Sequence, residues 1–162
     1  MEGAAPWSDA RRPADDQRPT TRRFTPRAAR PVISALLLPQ PESAPRARRA
    51  LSALEPLMSG AAFADLRLLV SELVTNSVEH SGVGPNALIQ LDIHLSEERV
   101  RVEVTDPGPG FEPPHMPPRQ RWDAEYGRGL LIVDALAAAW GVESGERSTV
   151  WFELAVPGLV AA

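Results

Sequence analysis

The chain has 162 residues, 43% of them hydrophobic, which is room for one domain with an ordinary core plus a tail. It contains no cysteine, which excludes a disulfide framework and a thiolate metal site, and its 17 basic residues are all arginine, which excludes a Walker-type phosphate lysine, a Schiff base and a lysine general base. Charge is uneven: residues 1–30 hold seven arginines against Glu2, Asp9, Asp15 and Asp16, so the remainder carries minus seven of the net −4.

Residues 1–30 are rich in Arg, Pro, Ala and Asp, with only Trp7 and Phe24 as large apolar groups. Such a segment buries too little surface to offset its ordering entropy, and a disordered N-terminal tail is expected. A basic arm can touch nucleic acid, and a DNA-binding regulator is one reading. Without interleaved aromatics or a recognition fold, a solvated tail with no direct nucleic-acid contact is the preferred one. The folded domain is expected over 31–157, with 158–162 as a short C-terminal tail.

Val32 to Leu38 is a short apolar run closed by Pro39 and Pro41, readable as an edge strand. Ala44 to Met58 has helical spacing through Ala47, Ala50, Leu51, Leu54 and Leu57, with Pro56 ending or kinking it. Asp65 to Ser81 carries the clearest helical stripe, Leu66, Leu69, Val70, Leu73 and Val74, stopped by Ser81-Gly82. Ala87 to Leu95 and Arg99 to Thr105 alternate with period two around Ser96-Glu-Glu98, a hairpin with one wet face. Residues 107–124 hold six prolines and two glycines and read as a long binding loop. Gly129 to Trp140 reads as a helix, and Gly141 to Glu143 with Ser148 to Val156 as a closing hairpin. This order predicts a two-layer α/β sandwich: one mostly antiparallel sheet with helices on one face. The longest apolar stretch, Leu130 to Val142, is broken by Asp134 and too short to span a bilayer, so a cytoplasmic protein with no membrane partner is expected.

Three segments carry chemistry. In the first, Glu72, Asn76 and His80 recur at four-residue spacing and share one helix face. A solvated helix surface also carries such residues, but Asn is a poor helix former, and an inward amide oxygen is a hard ligand suited to Mg²⁺. A neighbouring Glu can orient or deprotonate a hydroxyl. In the second, Asp106 ends a strand and runs into Pro107-Gly-Pro-Gly110. Asp-Pro-Gly is also simply a good turn, yet a proline-rich loop follows rather than a partner strand. Glycines clear space for a flat ligand, and a carboxylate there can accept from an exocyclic amine such as that of adenine. In the third, Gly127-Arg-Gly129 precedes Leu130-Leu-Ile-Val133 and exposes backbone N–H groups at a helix start, an anion site.

With these segments in this order the chain resembles the GHKL ATP-binding (Bergerat-type) fold shared by histidine kinases and gyrase B, most closely the small anti-sigma-factor serine/threonine kinases of Gram-positive bacteria. Residues 71–80, 106–111 and 127–133 match the family's N, G1 and G2 boxes, and Thr149 matches a late-strand threonine that helps hold adenine. The match covers about residues 32–156. The resemblance implies Glu72 as general base, Asn76 as Mg²⁺ ligand and Asp106 as adenine reader. It implies Gly108, Gly110, Gly127, Arg128, Gly129 and Leu130 as pocket and phosphate loops, with His80 beside the nucleotide. The cofactors implied are ATP and Mg²⁺. The implied partners are an anti-sigma antagonist of the STAS type and a sigma factor, with a homodimer as in relatives.

The stretch between Gly110 and Gly127 is short, as in the anti-sigma kinases, and the histidines His80, His94 and His115 include none ahead of the domain, against two-component autophosphorylation. Arg147-Ser148 stands where the family often has a lysine. Arginine without lysine, with abundant Ala and Pro, points to a GC-rich, actinobacterial source. The expected function is an ATP-dependent regulatory kinase that phosphorylates an antagonist and sequesters a sigma factor. The alternative is a catalytically silent, nucleotide-gated protein-binding module.

Overall fold

The computed structural model describes residue 24 and residues 30–80, 82, 84–109 and 127–159. In chain order the elements are β1 (Ile33–Leu37), α1 (Ser43–Ala50), a 3-10 helix (Leu51–Leu57), α2 (Gly60–His80), β2 (Ile89–Leu95), β3 (Arg99–Asp106), α3 (Gly127–Leu136), β4 (Ala139–Glu143) and β5 (Ser148–Ala155). The strands make one sheet in the order β1-β2-β3-β5-β4, with every neighbouring pair antiparallel.

Alternation along the strands decides which side is dry. Ile89, Leu91, Ile93 and Leu95 of β2, Val100, Val102 and Val104 of β3, and Val150, Phe152 and Leu154 of β5 are all buried. Register lines them up in rows: Leu91 opposite Val104 opposite Val150, and Ile93 opposite Val102 opposite Phe152. The stripe Phe63, Leu66, Leu69, Val70, Leu73 and Val74 of α2 joins them in one core. Each such side chain contributes about 1.5–3 kcal/mol of transfer free energy. Helix α1 packs on β1 and α2, α2 on β3 and β5, and α3 on α2 and β4. The expected two-layer α/β sandwich, with helices on one face of the sheet, is the observed architecture.

The other face of the sheet is polar, as the alternating charges predict. Arg101 bonds Glu103 at 2.7 Å and Glu153 at 3.2 Å, Arg99 bonds Glu153 at 2.8 Å, and the Arg101 guanidinium lies 4.0 Å from the centre of the Trp151 ring.

Several boundaries differ from the sequence expectation, each for a local reason. Helix α2 begins at Gly60 rather than Asp65, because Ser59 Oγ accepts from Ala62 N at 3.2 Å and caps the helix a turn before the apolar stripe. The segment after α1 tightens into 3-10 geometry around Pro56 rather than continuing as α-helix. Helix α3 ends at Leu136, short of Trp140, which belongs to β4 opposite Phe152 and donates from Nε1 to Asp134 Oδ1 at 2.9 Å. Leu159 is 8% exposed and joins the core, so packing continues past residue 157. Gly82 after α2 has φ 63°, the left-handed conformation a glycine adopts without strain. Among the described residues no helix is long and apolar enough to cross a membrane. The expected tail over 1–30, apart from Phe24 and Arg30, and the expected loop over 107–124 from residue 110 onward lie outside the described residues.

Candidate functional site

Successive residues of α2 turn by about 100°, so Glu72 and Asn76 lie about 40° apart on its surface, at the margin of the apolar stripe. Both are half-buried. What covers them is the first turn of α3. A Cβ built on Gly129 would stand 2.7 Å from Glu72 Oε2, 3.3 Å from Asn76 Nδ2 and 3.4 Å from Asn76 Oδ1. Glycine therefore lets α3 start against these two side chains without displacing them. Gly127 and Arg128 form the first turn with it, and the leading N–H groups of a helix have no intrahelical partner. The positive end of α3 thus sits beside a carboxylate and an amide, an arrangement that favours a bound anion with its counter-cation. Leu130, next along, is 3% exposed.

The end of β3 supplies the second part. Asp106 is 6% exposed on the dry face of the sheet, and its Oδ1 accepts from Gly108 N at 2.8 Å, which folds the loop back on the strand. Gly108 is buried between the exposed Pro107 and Pro109. The Oδ2 oxygen makes no hydrogen bond to a described residue, so the carboxylate keeps acceptor capacity for an incoming donor.

One expected residue is in the wrong place for its role. Thr149 pairs with Thr105 across the strands, and their hydroxyls lie 2.8 Å apart on the polar face, away from the Asp106 carboxylate. The residue opposite Asp106 is Ser148, which is 2% exposed. The cause is the two-residue period of a strand, which sends neighbours to opposite faces. The signal was present in the sequence: Ser148 shares parity with Val150, Phe152 and Leu154, whereas Thr149 shares it with Trp151 and Glu153.

The remaining candidates divide. His80, the last residue of α2, has a side chain 62% exposed and its partner is the neighbouring Glu79, 3.8 Å away, so the structure does not tie it to Glu72 or Asn76. Gly110 lies outside the described residues. Among the described residues no three His, Asp or Glu side chains gather to hold a metal. The Asn76 amide oxygen alone fits Mg²⁺ only with phosphate oxygens and waters completing the shell, the way Mg²⁺ is commonly held on nucleotides.

The histidine kinase-like ATPase domain matches residues 37–154, from the end of β1 to β5. An uncharacterized protein of Streptomyces coelicolor is 40% identical over 82 residues, covering 50% of this chain and 76% of that protein. Among solved structures, the histidine kinase domain of a blue-light activated histidine kinase from Erythrobacter litoralis aligns with 72% of this chain and 60% of its own, with a TM-score of 0.44 and 24% identity.

Proposed function

Because this chain belongs to the histidine kinase-like ATPase domain family, a family of ATP-binding units, we infer that it is a regulatory ATP-dependent serine/threonine protein kinase of the anti-sigma type. Its substrate on this reading is a hydroxyl of a STAS-type antagonist protein, and its second partner is a sigma factor that it sequesters in the cytoplasm. A homodimer is part of the same reading. The observation that carries it is the approach of Gly129 to Glu72 and Asn76, which brings a helix N-terminus, a carboxylate and an amide oxygen to one place.

Each residue then has a physical task. Asp106 and Ser148, side by side at the end of the sheet, offer acceptors and a hydroxyl to the exocyclic amine and ring edge of adenine. Gly108 and Gly129 leave the space that side chains would fill. The leading N–H groups of α3 face the phosphates. Asn76 is the protein ligand for Mg²⁺, which when bound neutralises charge on the phosphate oxygens. Glu72 orients the acceptor hydroxyl and takes its proton as the oxygen forms its new bond to the γ-phosphorus of ATP, while the bond from that phosphorus to the β–γ bridging oxygen breaks and ADP leaves. Positioning and charge stabilisation are what phosphoryl transfer chiefly asks of a protein, and no lysine is needed for them here.

The test is calorimetric titration of the full chain with ATP and Mg²⁺, comparing wild type with Asn76→Ala and Asp106→Asn, followed by transfer from labelled ATP to candidate antagonists with Glu72→Gln as control. Magnesium-dependent binding weakened by both substitutions, with transfer lost in Glu72→Gln, supports the reading. Binding without transfer to any antagonist leaves a nucleotide-gated binding module. No binding by the folded protein overturns both.

A further inference from the structure

Among the described residues, no element covers a strip of α2 between α1 and α3. Going round α2 at about 100° per residue, Ser71 lies toward α1, Leu68 comes next, and Glu72 follows toward α3. Contacts fix both borders. Arg48 of α1 donates from Nη1 to Ser71 Oγ at 3.1 Å on one side, and Gly129 of α3 abuts Glu72 on the other. Between them Leu68 is 40% exposed, a large apolar side chain one turn before Glu72 that the core does not use.

Arg48 is the unusual member. It is half-buried, and its contact to Ser71 is to a neutral hydroxyl whose own proton goes to the Arg67 carbonyl at 2.7 Å. Among the described residues no carboxylate lies within 4.0 Å of it, whereas the half-buried Arg99 and Arg101 are both met by Glu153. A guanidinium has five N–H donors in a rigid fork, so most of the recognition capacity of Arg48 is unspent among these contacts. Held by Ser71, the residue that precedes Glu72 on α2, and partly desolvated, its guanidinium is placed to receive a carboxylate.

We propose that this strip is the docking groove for the acceptor segment of a protein partner: an acidic side chain pairs with Arg48, an apolar side chain covers Leu68, and the acceptor hydroxyl reaches Glu72. The inference rests on the kinase reading for the role of Glu72 and adds the chemistry of the substrate to it. Charge complementarity selects the occupant. The groove border toward α1 is cationic, while the nucleotide phosphates are assigned to the far border at the start of α3.

Binding, not transfer, is the test, so that it stands apart from the kinase reading. Fluorescent peptides with a Glu-Leu-Ser, Gln-Leu-Ser, Arg-Leu-Ser or Glu-Gly-Ser core are titrated with the full chain by anisotropy, with a non-hydrolysable ATP analogue and Mg²⁺ present. The wild type is expected to bind the Glu-Leu-Ser peptide at least tenfold more tightly than the Arg-Leu-Ser peptide, and Arg48→Glu to invert that order. Leu68→Gln is expected to erase the advantage of Leu over Gly, and both variants to keep analogue affinity within twofold. No discrimination by charge in the wild type, an equal loss for all peptides in Arg48→Glu, or a fall in analogue affinity in Arg48→Gln would each overturn the proposal. The last of these outcomes would assign Arg48 to the phosphates. Failure to bind the analogue while peptide discrimination persists would refute the ATP reading and leave the groove standing.

Discussion

Gly129 and Glu72 meet across the α2–α3 interface so closely that one methyl group on residue 129 would stand 2.7 Å from Glu72 Oε2. The atom that must yield is the end of a flexible side chain, and alanine is the better helix former by about 1 kcal/mol. Gly129→Ala is therefore expected to keep stability within about 1 kcal/mol of wild type while turning Glu72 away from its position. Transfer from labelled ATP should fall at least tenfold while the unfolding midpoint moves by no more than about 5 °C. A variant that retains full transfer would remove Glu72 from the role of base.

Ser148 and Thr149 provide a matched pair of hydroxyls on opposite faces of β5. Losing a hydrogen bond from the buried Ser148 costs about 0.5–1.5 kcal/mol, which is roughly a two- to tenfold loss of affinity. Ser148→Ala should weaken ATP binding by that factor, and Thr149→Val, which disturbs only the contact with Thr105, should leave it within twofold. Titration calorimetry on both variants separates them. The reverse ranking would mean that the strand twists enough at its end to turn Thr149 into the site.

These residues also mark where reading the sequence succeeded and where it stopped. The hairpin of β2 and β3 and the stripe of α2 were legible because their hydrophobic periods, two and 3.6, are written in the residues themselves. The end of β3 at Asp106 was legible because a strand followed by glycines and prolines is a local pattern. Thr149 was misplaced because motif matching ignores the parity of the strand that carries it. The start of α2 was missed because Gly60-Ala-Ala has no apolar stripe, and only the Ser59 cap announces it. The packing of Gly129 on Glu72 joins residues 57 positions apart in the sequence. No period or local propensity encodes a contact of that range.

Asp106→Asn isolates the adenine contact from the loop fold. The amide keeps an oxygen to accept from Gly108 N, so the turn after β3 should survive. At the other position an NH₂ replaces an acceptor and faces the donor of the base. A buried polar site offered the wrong partner discriminates strongly. ATP affinity is expected to fall at least tenfold, with the near-ultraviolet spectrum and unfolding midpoint of wild type. Unchanged affinity would place adenine elsewhere.

Glu153 tests the sheet independently of the site. It is 5% exposed on the polar face, bonded to Arg99 and Arg101, whose side chains are 21% and 18% exposed. Removing one partner of a buried pair costs about 3–5 kcal/mol, because the other charge is left behind desolvated. The residual exposure of both arginines, and the second contact from Arg101 to Glu103, put Glu153→Ala at the low end, about 3 kcal/mol in denaturant unfolding. Glu143, 70% exposed and 3.9 Å from Arg101, belongs to the same network only in geometry, and Glu143→Gln should lie within about 0.5 kcal/mol of wild type. Because Asp106 and Ser148 face the other way, neither substitution should shift ATP affinity at temperatures where the variant is folded. A loss of affinity in folded Glu153→Ala would show that the two faces of the sheet are coupled.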